Sequence, residues 1–144
     1  MWYADASFFV SAFGKDRNTA AARQRLRASP VLPIIVTRLT LLEFDTAQKA
    51  AVKSGKITPD QWQSAQRRLT QALAQGHIKR MELAPHQWFP QAHRITAHAT
   101  PASTCRALDV LHVAAAILLK QPGFLSFDHH QRELAGSEGL QVRQ

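Results

Sequence analysis

Acidic residues are scarce in this chain: ten Asp and Glu stand against eighteen Lys and Arg, a formal charge of +8 over 144 residues. That imbalance favours polyanionic partners, nucleic acid first and an anionic membrane or acidic protein second. Cysteine is almost absent. Cys105 alone excludes an internal disulfide framework and suits a reducing compartment. No apolar run reaches the length of a bilayer span, and the longest, around residues 107–119, contains Asp109 and His112. The N-terminus has no basic region ahead of its apolar residues, and Asp5 interrupts them, so no secretory signal is expected. A soluble, cytoplasmic protein is the expectation. There is no GxGxxG or P-loop to hold a nucleotide cofactor. Seven histidines occur without an HExxH or Cys/His ligand pattern, which argues against zinc. Low-complexity and linker-like stretches are also missing, and a hydrophobic fraction of 45% is ordinary for one globular domain spanning residues 1–144.

Four of the few acids lie where solvated carboxylates are not expected. Asp5 falls in WYADASFFV, Glu43 in LTLLEF, Asp109 in ALDVLHVAAAILL and Asp128 in FLSFDHH. A carboxylate removed from water without a partner costs several kcal/mol, so each requires compensation. Were the four to converge, their repulsion would raise their pKa values unless a cation held them ionised. A divalent metal ion is the simplest such cation.

Short apolar strand candidates alternate with helical segments along the chain. Strands are expected at 1–5, at 34–37 within VLPIIVT, at 78–83, 124–127 and 140–143. Helices are expected at 6–13, 16–28, 38–53, within 85–99 where Pro90 limits the first turn, at 106–119 and at 129–135. Thr58-Pro59-Asp60-Gln61 is a strong helix start: Thr as N-cap, Pro at the first helical position, Gln three residues after the cap. That helix runs to about Ala74, with Gly76 beyond it as a stop. Residues 100–104 form a Thr/Pro/Ser connection. Alternation of this kind predicts an α/β fold with a parallel sheet covered on both faces, whose active site gathers outside the carboxyl ends of the strands. Asp5 and Asp128 follow strands directly, Glu43 lies about a helical turn beyond another, and Asp109 can join from the start of its helix.

The segments carrying these acids resemble those of PIN domains. WYADASFFVSAF looks like the opening strand and acidic turn, CRALDVLHVAAAI is similar to the third acidic motif, and FLSFDHHQRELA followed by GLQV looks like the fourth. Glu43 in LTLLEF occupies the place of the second acid. The resemblance covers essentially the whole chain. It implies a single-domain α/β/α sandwich with a short parallel sheet and a Mg²⁺- or Mn²⁺-dependent ribonuclease site. Asp5, Glu43, Asp109 and Asp128 would be the metal-binding and catalytic acids, with Ser7 and Ser126 supporting the first and fourth. Among small members the chain looks most like VapC toxins, commonly homodimers neutralised by a cognate antitoxin whose tail occupies the active-site groove. Thr46 departs from the polar amide often found after the second acid in related sequences.

Each acid also has a plainer reading. Asp5 and Asp128 can cap the helices that follow them. Glu43 can pair with Arg38 or Lys49, and Asp109 with Arg106. Asp45, two residues from Glu43, is expected in solvent, as are Glu133 and Glu138, while Asp60 belongs to its helix start. His112 shares a face with Asp109 and reads first as a satisfied core histidine. His129 and His130 read either as phosphate contacts or as surface residues. Cys105 reads as inert, and Trp62, Trp88 and Phe89 as core or dimer-interface residues.

These readings together predict a metal-dependent endoribonuclease, the toxin of a toxin–antitoxin pair, acting on exposed single-stranded or loop RNA. A non-catalytic RNA-binding PIN-fold module, and a PIN nuclease of RNA maturation without an antitoxin, are the alternatives. Arg17, Arg23, Arg25, Arg27, Arg67, Arg68, Lys79 and Arg80 are candidates for backbone contacts to RNA.

Overall fold

Parallel pairing joins five three-residue strands: β1 (Trp2–Ala4), β2 (Ile34–Val36), β3 (Ile78–Arg80), β4 (Gly123–Leu125) and β5 (Gln141–Arg143). The computed structural model describes residues 1–27, 33–99 and 105–144. The end of the expected helix 16–28, the first residues of VLPIIVT and the 100–104 connection lie outside the described residues. Seven helices connect and cover the strands within them: α1 (Ala6–Phe13), α2 (Thr19–Arg27), α3 (Arg38–Lys53), α4 (Pro59–Ala74), α5 (Pro85–His98), α6 (Ala107–Leu118) and α7 (His129–Ser137).

The sheet order is β3-β2-β1-β4-β5. Successive strand residues point to opposite faces, and both faces are apolar, as a fully covered parallel sheet requires. Ala4, Ile34, Val36, Ile78 and Leu125 pack under Phe8, Phe9, Phe44 and Leu69 of α1, α3 and α4. Tyr3, Ile35 and Phe124 face Ile95, Val110, Val113 and Leu134 of α5, α6 and α7. Three layers result, α/β/α.

Local chemistry accounts for the boundaries. Thr58 Oγ1 accepts from the Gln61 amide at 3.2 Å and the Gln61 side chain returns the bond to the Thr58 amide at 2.9 Å, closing a capping box at the start of α4. Gly76, at φ +71°, ends that helix in the left-handed region where glycine is favoured. Gly123 answers a different need: a Cβ there would come 2.1 Å from the Trp2 ring, which lies over the backbone of the neighbouring strand.

Three expectations are corrected. Pro90 lies inside α5 rather than limiting its first turn. It removes one helical hydrogen bond, and burial of Ala92 and Ile95 in the core holds the helix together across it. The third strand stops at Arg80, where Arg80 and Arg38 both turn to Glu82 (3.2 and 3.0 Å). The fourth strand ends at Leu125, because Ser126 turns its hydroxyl toward Asp5.

Candidate active site

Strand order reverses between β1 and β4, and the crevice outside the carboxyl ends of strands at such a switch point is where open α/β sheets bind ligands. Asp5 follows β1 and Ser126–Asp128 follow β4, so both enter this crevice. Asp5 is wholly buried. It caps α1 by accepting from the Phe8 amide at 2.9 Å, and its oxygens also receive the Ser7 hydroxyl (2.9 and 3.0 Å) and the Ser126 hydroxyl (2.6 Å). Those hydroxyls in turn accept backbone amides: Ser7 from Phe127 (2.9 Å) and Asp128 (3.2 Å), Ser126 from Asp128 (2.9 Å). Asp5 and the backbone of Asp128 are thus joined through two serines. Burial still pushes the Asp5 carboxyl above its ordinary pKa, against the opposing pull of His112, the Phe8 amide and the two hydroxyls.

Asp109 and Asp128 share one cation. Arg106 lies ahead of α6 and sends Nε to Asp109 and Nη2 to Asp128, each at 3.2 Å, while its own amide donates to Asp109 at 3.1 Å. Asp109 is buried, yet the Arg106 side chain is 74% exposed. Asp128 spends its other oxygen capping α7 through the Gln131 amide at 3.1 Å. Hydrogen bonding to Asp109, followed by the charges of Asp109, Asp128 and Glu43, raises the pKa of Arg106. Glu43 therefore stands in the same electrostatic neighbourhood.

Glu43 pairs with neither Arg38 nor Lys49. Its carboxylate meets Nε2 of His112, which is fully buried. Nδ1 of His112 is 2.7 Å from the Tyr3 hydroxyl, and that hydroxyl lies 3.2 Å from Thr37 Oγ1 and 3.4 Å from Thr40 Oγ1. Burial raises the Tyr3 pKa, keeping the phenol protonated, and nearby Asp5 and Glu43 push the same way. Both ring nitrogens are partnered, Nδ1 by the Tyr3 hydroxyl and Nε2 by the Glu43 carboxylate. His112 is accordingly both a satisfied core residue and a contact of the acidic set.

The structure brings all four acids to one edge, but in three subsites rather than a single ring. Two members escaped sequence reasoning. Tyr3, the chain's one tyrosine, sits two residues before Asp5 on the sheet face that packs against α6. Arg106 was visible only as an alternative partner for Asp109, with no sign that it also reaches Asp128. Of the remaining polar expectations, Asp45 accepts from Gln66 at 2.9 Å, and Glu133 pairs on the surface with His129. Glu138 is corrected: it is half-buried and bonded to Arg94 at 2.5 Å. Trp88 donates to the Leu111 carbonyl at 2.8 Å and belongs to the core, while Phe89 stays exposed. Over the site runs a groove of about 710 Å³ lined by Ser7, Ser11, Asp16, Asn18, Glu43 and Asp128, among others.

The family model for the PIN domain matches residues 2–137. The chain belongs to the PIN-domain family. A search of curated proteins finds no match. Among solved structures, this PIN domain is similar to Mycobacterium tuberculosis VapC20, a toxin that cleaves the sarcin-ricin loop. The TM-score is 0.70 with 100% of both chains covered, at 12% sequence identity. At that identity the likeness speaks for the fold, the α/β/α sandwich of a VapC toxin.

The donor types suit a hard divalent cation, since carboxylate oxygens are the preferred ligands of Mg²⁺ and Mn²⁺ and the buried charge of Asp5 calls for a counter-ion. Their arrangement is a different matter. Among the described residues no group of three acidic, histidine or cysteine side chains is placed to hold one ion, and Arg106 spans Asp109 and Asp128. Among those residues, too, no helix is long and apolar enough to cross a membrane.

Proposed function

We propose that this PIN domain is a metal-dependent endoribonuclease, the toxin of a toxin–antitoxin pair, acting in the cytoplasm on exposed single-stranded or loop RNA. The observation that carries the reading is the meeting of Asp5, Glu43, Asp109 and Asp128 at the strand-order reversal of a PIN fold, under an open groove. A basic chain with an acidic crevice suits a nuclease: the outer charge draws in the polyanion and the crevice retains the cation. Partners in this reading are the RNA, a cognate antitoxin and a second copy of the chain.

Asp5, Glu43, Asp109 and Asp128 would hold Mg²⁺ or Mn²⁺, which when bound supplies Lewis-acid stabilisation of charge on the scissile phosphate and its leaving oxygen. The remaining work falls to the chain. Ser7 and Ser126 fix the Asp5 carboxylate in direction, and the backbone amides of Phe127 and Asp128 fix the serines. His112, oriented by Tyr3, holds Glu43 toward the crevice. Arg106 neutralises Asp109 and Asp128, the same charges a divalent cation would neutralise.

The occupied clasp favours one second reading, a non-catalytic RNA-binding module in which Arg106 is the resident cation. A PIN nuclease of RNA maturation would share the chemistry without the antitoxin. The deciding experiment is RNA cleavage in Mg²⁺ or Mn²⁺, with and without chelator, for the parent and for Asp5→Asn and Asp109→Asn. Metal-dependent cleavage lost in both variants is expected. Salt-sensitive RNA binding without turnover would establish the second reading instead.

A further inference from the structure

Beside the acidic groove, and sharing Asp16 with it as a lining residue, lies a second hollow of about 640 Å³ at the C-terminal end of α1. Lys15, Arg17, Arg23 and Arg68 line it, against the carboxylates of Asp16 and Asp60. We propose that this hollow binds a phosphodiester group of the substrate strand adjacent to the one positioned at the acids, with Arg68 and Arg23 as its anchors. The inference rests on the ribonuclease reading above and selects, from eight candidate cations scattered along the sequence, the set that forms one site.

Geometry separates these arginines from the others. Arg68 directs Nε and Nη2 at the Phe13 carbonyl (3.2 and 2.8 Å), and Arg23 directs Nε at Ala12 O (3.3 Å) and Nη2 at Gly14 O (3.4 Å). Two guanidinium groups from different helices are thereby fixed at the negative end of the α1 dipole, with donors left over for a ligand. Both bond carbonyls and not carboxylates. Arg38, Arg80 and Arg94, by contrast, are each engaged by a glutamate. Asp16 is exposed on the rim shared with the acidic groove, its carboxylate held by Ser11 Oγ (2.7 Å) and the Asn18 amide (2.8 Å). Like charges therefore crowd together: partial burial, then Arg23 and Arg67, push the Arg68 pKa down. An anion bridging Arg23 and Arg68 relieves that repulsion, and a planar guanidinium suits phosphate oxygens better than a point charge would. A strand crossing from this hollow past Asp16 enters the acidic groove directly.

The test is fluorescence anisotropy of a short labelled single-stranded RNA in chelator, where no turnover occurs, over a range of salt concentrations. Arg23→Gln and Arg68→Gln should each weaken binding about tenfold and lower the salt slope by about 0.7, the increment for one phosphate contact on a single strand. Lys79→Gln, an equal loss of charge on the exposed edge strand, should change affinity less than about twofold, as a non-specific contribution would. Arg17→Gln, which leaves the carbonyls of the helix end untouched, gives the same comparison should Arg68→Gln fail to fold. Arginine variants that behave like Lys79→Gln overturn the subsite while parent binding and metal-dependent cleavage keep the ribonuclease reading intact. A parent chain that binds no RNA overturns both.

Discussion

Asp5 and the Asp109–Asp128 pair hold the same kind of charge by opposite means. Around Asp5 each contact comes from something fixed: an amide of α1, and two hydroxyls that are themselves tied to the backbone after β4. Around Asp109 and Asp128 the compensating cation is a long side chain, 74% exposed, which can leave without disturbing the core. One half of the site is built into the fold and the other is closed by a reversible clasp. Preorganised charge that costs stability and an adjustable partner at the entrance are what a site needs if a cation must enter it.

The comparison can be broken most severely at the acids. Asp5→Asn and Asp109→Asn should each reduce metal-dependent RNA cleavage by on the order of 10²-fold or more, the usual cost of removing one preorganised electrostatic contributor. Their effects on stability should diverge. Asp5→Asn removes a buried charge from a cradle that an amide can also fill, and should raise the melting temperature of the metal-free protein. Asp128→Asn, at the surface and serving as a helix cap, should not. Equal shifts in thermal denaturation would erase the distinction drawn here.

Next in size is the clasp. Arg106→Gln should tighten Mn²⁺ binding about tenfold in a calorimetric titration without RNA, corresponding to loss of a competitor for two of the four acids. An unchanged affinity would mean that Arg106 does not compete. Tyr3→Phe leaves His112 Nδ1 without its partner while removing few contacts. Denaturant unfolding should show a loss of about 1 kcal/mol, with cleavage reduced several-fold because Glu43 loses its orientation. The smallest effect expected is Ser126→Ala, about 1 kcal/mol or less, since Ser7 and the Phe8 amide still reach Asp5. A larger loss there than in Tyr3→Phe would shift the structural weight from the histidine chain to the cradle.

Much of this is legible in the amino-acid sequence. Alternating apolar strands and helices predicted the layers, and the capping box at Thr58–Gln61 and the span of α3 agree with expectation residue for residue. The four acids stood out because apolar neighbours surround them, and that signal is local. What the residues could not announce was pairing at a distance. Glu43 meets His112 across 69 positions and Tyr3 meets His112 across 109, while Arg106 reaches past its own helix to Asp128. Contacts of this kind depend on which sheet face a side chain takes and on which helix covers it, and a one-residue change of register would reverse either. The cap readings of Asp5 and Asp128 and the Arg106 reading of Asp109 all describe real contacts.

The sheet order has a consequence for how the protein comes into being on the ribosome. β1, the first segment synthesised, occupies the middle of the sheet, and its neighbour on one side is β4 at Gly123–Leu125. Asp5 therefore waits through most of translation for the Leu125 carbonyl that receives its amide and for the Ser126 hydroxyl that binds its carboxylate. Pairing over such a separation is slow to close, and a nascent or prematurely terminated chain carries the first acid without the surroundings that orient it. A growing polypeptide thus lacks the assembled surroundings of Asp5 until Leu125 and Ser126 have emerged.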